Sequence, residues 1–234
     1  MNTLKQKHRI FNKYFVILFI VSTASGLGMN MFASMLSLYV DKLHGTTSQT
    51  GYIALVFAIS GLIGRFSAGY LSDRCRRMMV AAAGCLIFAL SSLMYVFIPT
   101  VAAVAVFRAF QGLGFALLHT ACTAAVTDVI PQNRISEGQG IITMNQVISM
   151  VFGCTMAMAL MNKFGFDFLF YFSGGMIFIA MLLCFFCRYD KDPAYASNTV
   201  SGSKYQNTEL KKYKGIIFDL DGVICCTDQY HERA

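Results

Sequence analysis

Gly69-Tyr70-Leu71-Ser72-Asp73-Arg74-Cys75-Arg76-Arg77 sets one acid and three arginines between two long apolar runs, Gln49–Leu71 and Met78–Ile98. The hydrocarbon core of a bilayer takes about 20 apolar residues in a helix, and each flanking run is that long. The charged stretch between them reads as a turn at a membrane surface. Working outward, four further runs qualify: Tyr14–Val40, Ala102–Ile130, Gln139–Met161 and Phe166–Cys187. The connections are short, so consecutive helices must be antiparallel neighbours. The expectation is an all-α membrane protein, a six-transmembrane-helix bundle over residues 1–188.

Composition agrees. Of 234 residues, 56% are hydrophobic and 13% charged, about half the charged fraction of a soluble domain. The net charge of +7 does not imply nucleic acid, because the basic residues fall in short clusters between apolar runs instead of gathering on one soluble face. Lys5, Lys7, Arg9 and Lys13, then Arg74, Arg76 and Arg77, then Arg134, then Arg188 and Lys191 lie on one side; only Lys42 and Lys163 lie on the other. This bias places both termini in the cytoplasm and predicts a multi-pass protein, expected in a plasma (inner) membrane, with the lipid bilayer as partner. The basic start resembles a signal sequence, but its apolar run is too long and lacks a small-residue cleavage site.

Cysteine and methionine carry little chemistry here. Six of the eight cysteines (Cys75, Cys85, Cys122, Cys154, Cys184, Cys187) sit in or beside apolar runs, where a thiol packs as a small hydrophobe. Cys184 and Cys187 have metal spacing without a histidine or second pair to complete a site. Met29, Met31, Met35, Met156, Met158 and Met161 suit adaptable packing better than copper binding. No metal or other cofactor is expected.

A helix turns about 100° per residue, so polar residues can be tested for a shared face. Thr23, Asn30, Ser34, Ser37 and Asp41 align in the first span, Arg108, Gln111, Phe115, His119 and Cys122 in the fourth, and Gln139, Thr143, Gln146 and Gly153 in the fifth. Spans three and six read as lipid-facing supports. Spans one, four and five, with two, would then line a polar path containing Asn30, Arg108, Gln111, Gly112, His119 and Gln146. Single polar residues also serve as glue between helices, but an aligned stripe in three helices is better explained by a path. Gly26-Leu27-Gly28-Met29 echoes Gly112-Leu113-Gly114-Phe115 three helices later, an internal repeat of the kind built into many transporter folds.

The loop Gly69–Arg77 resembles the signature of the major facilitator superfamily, a glycine, then Leu71-Ser72-Asp73-Arg74, then further basic residues; Arg76 stands where the family has glycine and Met78 where it has a base. Arg108-Ala109-Phe110-Gln111-Gly112-Leu113-Gly114-Phe115-Ala116 resembles the second signature, and Asp128-Val129-Ile130-Pro131-Gln132-Asn133-Arg134 the loop that follows. The resemblance covers residues 1 to about 190 and is closest to the drug and sugar efflux branches. It implies alternating access by a secondary transporter, this chain supplying the amino-terminal six-helix half. Gly69, Asp73, Arg74, Arg77, Asp128 and Arg134 would form the gate, and Arg108 and Gln111 would lie near the path of a drug-like or sugar solute. The first span has no interior carboxylate, so proton coupling stays open, with His119 the candidate titrating group.

After Arg188 the composition turns polar, and residues 189–213 read as a cytoplasmic linker. Lys214-Gly215-Ile216-Ile217-Phe218-Asp219-Leu220-Asp221-Gly222 then resembles the first motif of the haloacid dehalogenase superfamily, nearest to beta-phosphoglucomutase, with Thr227, Tyr230 and His231 following. The resemblance implies that Asp219 is a phosphoryl-accepting nucleophile, Asp221 the acid/base, and that both hold magnesium. It covers about twenty residues, 214–234, and the other motifs of the family are missing, so a single orphan β-strand and no enzyme activity are expected. The alternatives are a membrane-anchored phosphatase or phosphomutase and a non-functional fusion fragment. A half transporter should not complete a cycle alone; it would need the missing second six-helix half or a homodimer partner.

Overall fold

A computed structural model describes residues 10–187, residue 189 and the pairs 217–218 and 224–225, without the side chains of Asp73, Gln132 and the two pairs. Five long helices carry the fold: α1 (Lys13–Lys42), α2 (Thr47–Arg74), α3 (Arg77–Phe97), α4 (Val101–Val129) and α5 (Ile135–Phe186). All five are long and apolar enough to cross a membrane. Three of the five starts, those of α1, α2 and α4, carry a side-chain cap. Asn12 accepts from the Phe15 amide at 2.8 Å. Thr46 and Gln49 satisfy each other's backbone N–H in a capping box, and Thr100 accepts from Ala103 N at 3.3 Å.

The expected separation of the last two spans takes a particular form here. α5 runs through 52 residues with one non-helical position, Gly165, at φ 84° and ψ 178°, a backbone that only glycine adopts without strain. A straight helix would hold Ser149 and Ile177 about 42 Å apart. Instead Ser149 packs on Gly26 and Ile177 on Gly28, both in α1. The helix therefore folds back at Gly165, and its two arms lie beside the same turns of α1.

The Gly-x-Gly echo marks corresponding crossings. In α1, Gly26 meets the first arm of α5 at Ser149 and Gly28 meets the second at Ser173 and Ile177; in α4, Gly112 meets α2 at Phe57 and Ser60, and Gly114 meets α3 at Gly84 and Phe88. Gly153 of α5 rests on Leu27 and Asn30, just as Gly64 of α2 rests on Leu113 and Ala116. Each member of the repeat thus sits at the junction of its own helix with two others.

Aromatic rings of α1, α3 and α5 close the bundle at one end, with Phe32, Tyr39, Tyr95, Phe166 and Phe170 in mutual contact. The support role expected for the third span is corrected: α3 buries Ser91, Ser92 and Tyr95, and Gly84 brings it against the α4 backbone. Much of the outward apolar surface belongs to α2, where Tyr52, Leu55, Ile59, Leu62, Ile63 and Phe66 are exposed, and to the first arm of α5, where Val147, Ile148, Val151 and Phe152 are.

The expected single strand is also corrected. Ile217–Phe218 (β1) pairs antiparallel with Ile224–Cys225 (β2), Ile217 opposite Cys225 and Phe218 opposite Ile224. A lone strand leaves its backbone donors and acceptors unpaired, and doubling back satisfies them.

Candidate functional site

Polar side chains gather at three levels of the bundle. The first lies toward the end where α4 begins. Arg108 is only 3% exposed and Gln111 is fully buried. Arg108 Nη1 donates to Gln111 Oε1 at 2.8 Å, and Tyr95 donates its hydroxyl proton to the same oxygen at 3.1 Å. Gln111 Nε2 donates to Ser92 Oγ at 3.0 Å, and Tyr39 extends the chain by donating to the Tyr95 carbonyl at 2.9 Å. The Arg108 guanidinium lies over the Phe57 ring, 4.3 Å from its centroid. Its Nε has no partner, and no carboxylate meets it among the described residues. A buried cation held by dipoles and one aromatic face retains unmet attraction for negative charge.

The second level crosses all four expected path helices. Thr23 of α1 donates to Asn145 Oδ1 at 3.0 Å, and Asn145 Nδ2 reaches back to Phe19 O at 3.4 Å. His119 of α4 is hydrogen-bonded to Gln146 of α5, beside a small pocket that Ser22, Ser25 and Cys122 also line. The His119 ring packs on Phe115. Arg65 of α2 is exposed.

The third level closes the basic end. Asp128, 6% exposed, receives Arg77 Nη1 at 2.7 Å and the Tyr189 hydroxyl at 3.0 Å. Arg77 also donates to Ala124 O at 2.6 Å, and Asn12 donates to Val129 O at 2.9 Å. One carboxylate thus ties α3 and α4 to the segment after α5.

Of the expected gate residues, the structure joins Arg77 and Asp128. Arg134 is not part of that pair; it grips Glu137 at 2.6 Å, an i,i+3 contact closer in sequence than any cross-helix acid. Arg74 lies over the Tyr70 ring, 4.2 Å from its centroid. Among the described residues, nothing approaches the position a Gly69 side chain would take. Asp73 closes the last turn of α2. On the expected path, Arg108 pairs with Gln111 and His119 with Gln146. Gly112 instead faces α2, and Asn30 donates to its own helix at Gly26 O, 2.8 Å away. Asp219 and Asp221 lie outside the described residues. Sequence reasoning missed Ser92, Tyr95 and Phe57, which complete the Arg108 cluster, and also Asn145 and Arg65. Arg65 alone carried a readable signal, as a charge in the interior of an apolar run.

The profile of the Major Facilitator Superfamily matches residues 18–219. The chain belongs to this superfamily. It is similar to the MFS-type transporter MJ1560 of Methanocaldococcus jannaschii, 25% identical over 72% of this chain and 44% of the relative. It is also similar to two proteins of Bacillus subtilis: the MFS-type transporter YceJ, 26% identical over 60% of this chain and 35% of the relative, and multidrug resistance protein 2, 30% identical over 55% and 32%. The chain spans about half the length of these curated relatives, or less. As a facilitator-superfamily member with five helices able to cross a bilayer, it is a multi-pass membrane protein. The Gly69–Arg77 loop and the Arg108–Ala116 stretch lie at the end of α2 and within α4, where the family resemblance required them.

Proposed function

We propose that this protein moves a small solute across a plasma membrane by alternating access, residues 1–188 forming one six-helix half. Both arms of α5 would cross the bilayer, the fold-back at Gly165 lying outside and both termini inside. The carrying observation is Arg108. An arginine this deep costs about 2.5–3.5 kcal/mol on insertion scales, and among the described residues no carboxylate offsets it. Such a group faces a solute path more readily than it serves packing. The Arg77–Asp128 pair, with Gly69, Asp73 and Arg74 at the same surface, would hold one gating state. The exposed apolar faces of α2 and the first arm of α5 suit a second six-helix body, either further chain or a second copy. Residues 189–213 would be a cytoplasmic linker and 214–234 a separate element, with no enzyme role for Asp219 or Asp221.

Uptake into liposomes tests the transport reading. Saturable entry of at least one solute from a panel of sugars, sugar phosphates, dicarboxylates and cationic drugs is expected when a second six-helix body is present, and flux of every member no greater than in empty liposomes would overturn it. Topology is tested separately with an impermeant maleimide on intact cells. Lys163→Cys should label from outside and Arg134→Cys should not, above the native cysteine background; the reverse pattern would invert the orientation.

A further inference from the structure

The second polar level contains a charge that neither the gate nor the Arg108 cluster uses. Arg65 lies nine residues before the end of α2, His119 ten before the end of α4, Gln146 eleven after the start of α5 and Thr23 ten after the start of α1. All four termini are at the basic end of the bundle, so these side chains stand at one depth, about 13–17 Å in. Gly64, next to Arg65, is set against Ala116, one turn from His119. The two residues therefore flank the same α2–α4 crossing.

No carboxylate stands in the middle of the bundle among the described residues, where the charged or imidazole side chains are Arg65, Arg108 and His119. Of the acids toward this end, Asp128 is held by Arg77 and Glu137 by Arg134, while Asp73 stands eight residues from Arg65, about 12 Å along α2. Asp41 and Asp167 lie toward the opposite end. Arg65 has no carboxylate partner among the described residues, and the residue is exposed. A cation so far from the helix end is retained where it meets water or a ligand.

We propose that Arg65, His119 and Gln146 form a binding site for an oxyanion, a carboxylate or phosphate group carried by the solute. This rests on the transport reading only for its purpose, not for its chemistry. The guanidinium offers a planar fork that matches two oxygens of such a group. The imidazole and the carboxamide each present a donor beside it, and either can turn its acceptor toward the other. A cationic solute would find no compensating acid at this level.

Binding to the purified full chain in phospholipid-free detergent tests the site, using calorimetry with succinate, glucose 6-phosphate, neutral glucose and tetraphenylphosphonium as probes. At least one of the two anions should bind saturably, and glucose and the cation should not. Arg65→Gln should weaken that binding at least tenfold. Arg65→Lys should recover part of it, and His119→Gln should give an intermediate loss. Circular dichroism and a monodisperse elution peak show whether each variant is folded, and the lysine variant decides the matter if Arg65→Gln is not. Anion binding that Arg65→Gln leaves unchanged, or tetraphenylphosphonium binding that depends on Arg65, would overturn the proposal. Repeating the titration in nanodiscs separates sources: competition by phosphatidylglycerol but not by phosphatidylcholine, with no solute bound in its absence, would assign the site to a lipid phosphate and overturn the solute assignment. Arg65-dependent binding without flux in liposomes would leave the site standing and defeat the transport reading; flux without anion binding would do the opposite.

Discussion

Gly114→Val is expected to abolish accumulation of folded protein. A Cβ at Gly114 would stand 2.8 Å from the carbonyl oxygen of Gly84 and 2.9 Å from the amide nitrogen of Phe88. Both are backbone atoms of α3, so no side-chain rotation relieves the clash. The same crossing is closed from the other side, where a Cβ at Gly84 would lie 2.6 Å from Gly114 O and from Leu118 N. Helices that meet backbone to backbone owe their association in lipid to that packing, since the tails are as apolar as the side chains. Forcing α3 away from α4 also stretches the bonds from Tyr95 and to Ser92 that hold Gln111. Overpacking alone costs about 1–3 kcal/mol, and each buried hydrogen bond left unmade adds about 1–3 kcal/mol more. Size-exclusion chromatography in detergent should show the monodisperse peak replaced by aggregate. Gly69→Ala is the contrasting substitution. No described residue lies within 4 Å of its Cβ position, and alanine in a helix is favoured over glycine by about 1 kcal/mol, so this variant should be as stable as the parent or slightly more so. A normal peak for Gly114→Val would mean that the α3–α4 crossing is looser than its geometry.

The helix ends were legible in the sequence because apolar length and charge position are one-dimensional signals. Lys13–Lys42 replaces Tyr14–Val40, extended by a residue or two at basic ends, and Val101–Val129 replaces Ala102–Ile130, shifted by one residue where Thr100 caps the start. The Gly-x-Gly echo was legible too, although its use at the crossings needed the fold. The site was legible only on one helix at a time. Alignment along α4 put Arg108 and Gln111 together but could not say that Ser92 and Tyr95 of α3 would meet them, because a helical stripe names a face and not the neighbour it touches. The third span looked apolar since its polar groups are few and crowd toward one end, and those few are the ones the cluster uses. Asn145 was overshadowed by Gln146 beside it, which points toward α4 while Asn145 points toward α1. Arg134 looked like a gate partner, and a nearer acid, Glu137, took it.

Asp128→Ala should destabilise the bundle by about 3 kcal/mol, the low end of the range for removing one partner from a buried ion pair, because Arg77 keeps one-fifth of its side-chain surface exposed. The lost carboxylate leaves the Arg77 guanidinium with the Ala124 carbonyl and takes from the Tyr189 hydroxyl its 3.0 Å acceptor. Desolvated donors, more than the vanished attraction, account for the effect. Removing the charge at both ends should therefore be gentler than removing it at one. Arg77→Met combined with Asp128→Leu replaces the pair by apolar groups of similar length, and such replacements are often neutral in stability. The double variant should melt closer to the parent than either single variant does, with a coupling of at least about 1 kcal/mol between the two positions. Thermal unfolding of the four proteins in one detergent measures this directly. Its second readout is functional: if the pair holds one gating state, the double variant should be folded yet altered in flux, because packing restores the fold without restoring a contact that breaks and reforms. Additive losses at the two positions would mean that Arg77 and Asp128 act independently, and the gate assigned to them would lose its physical basis.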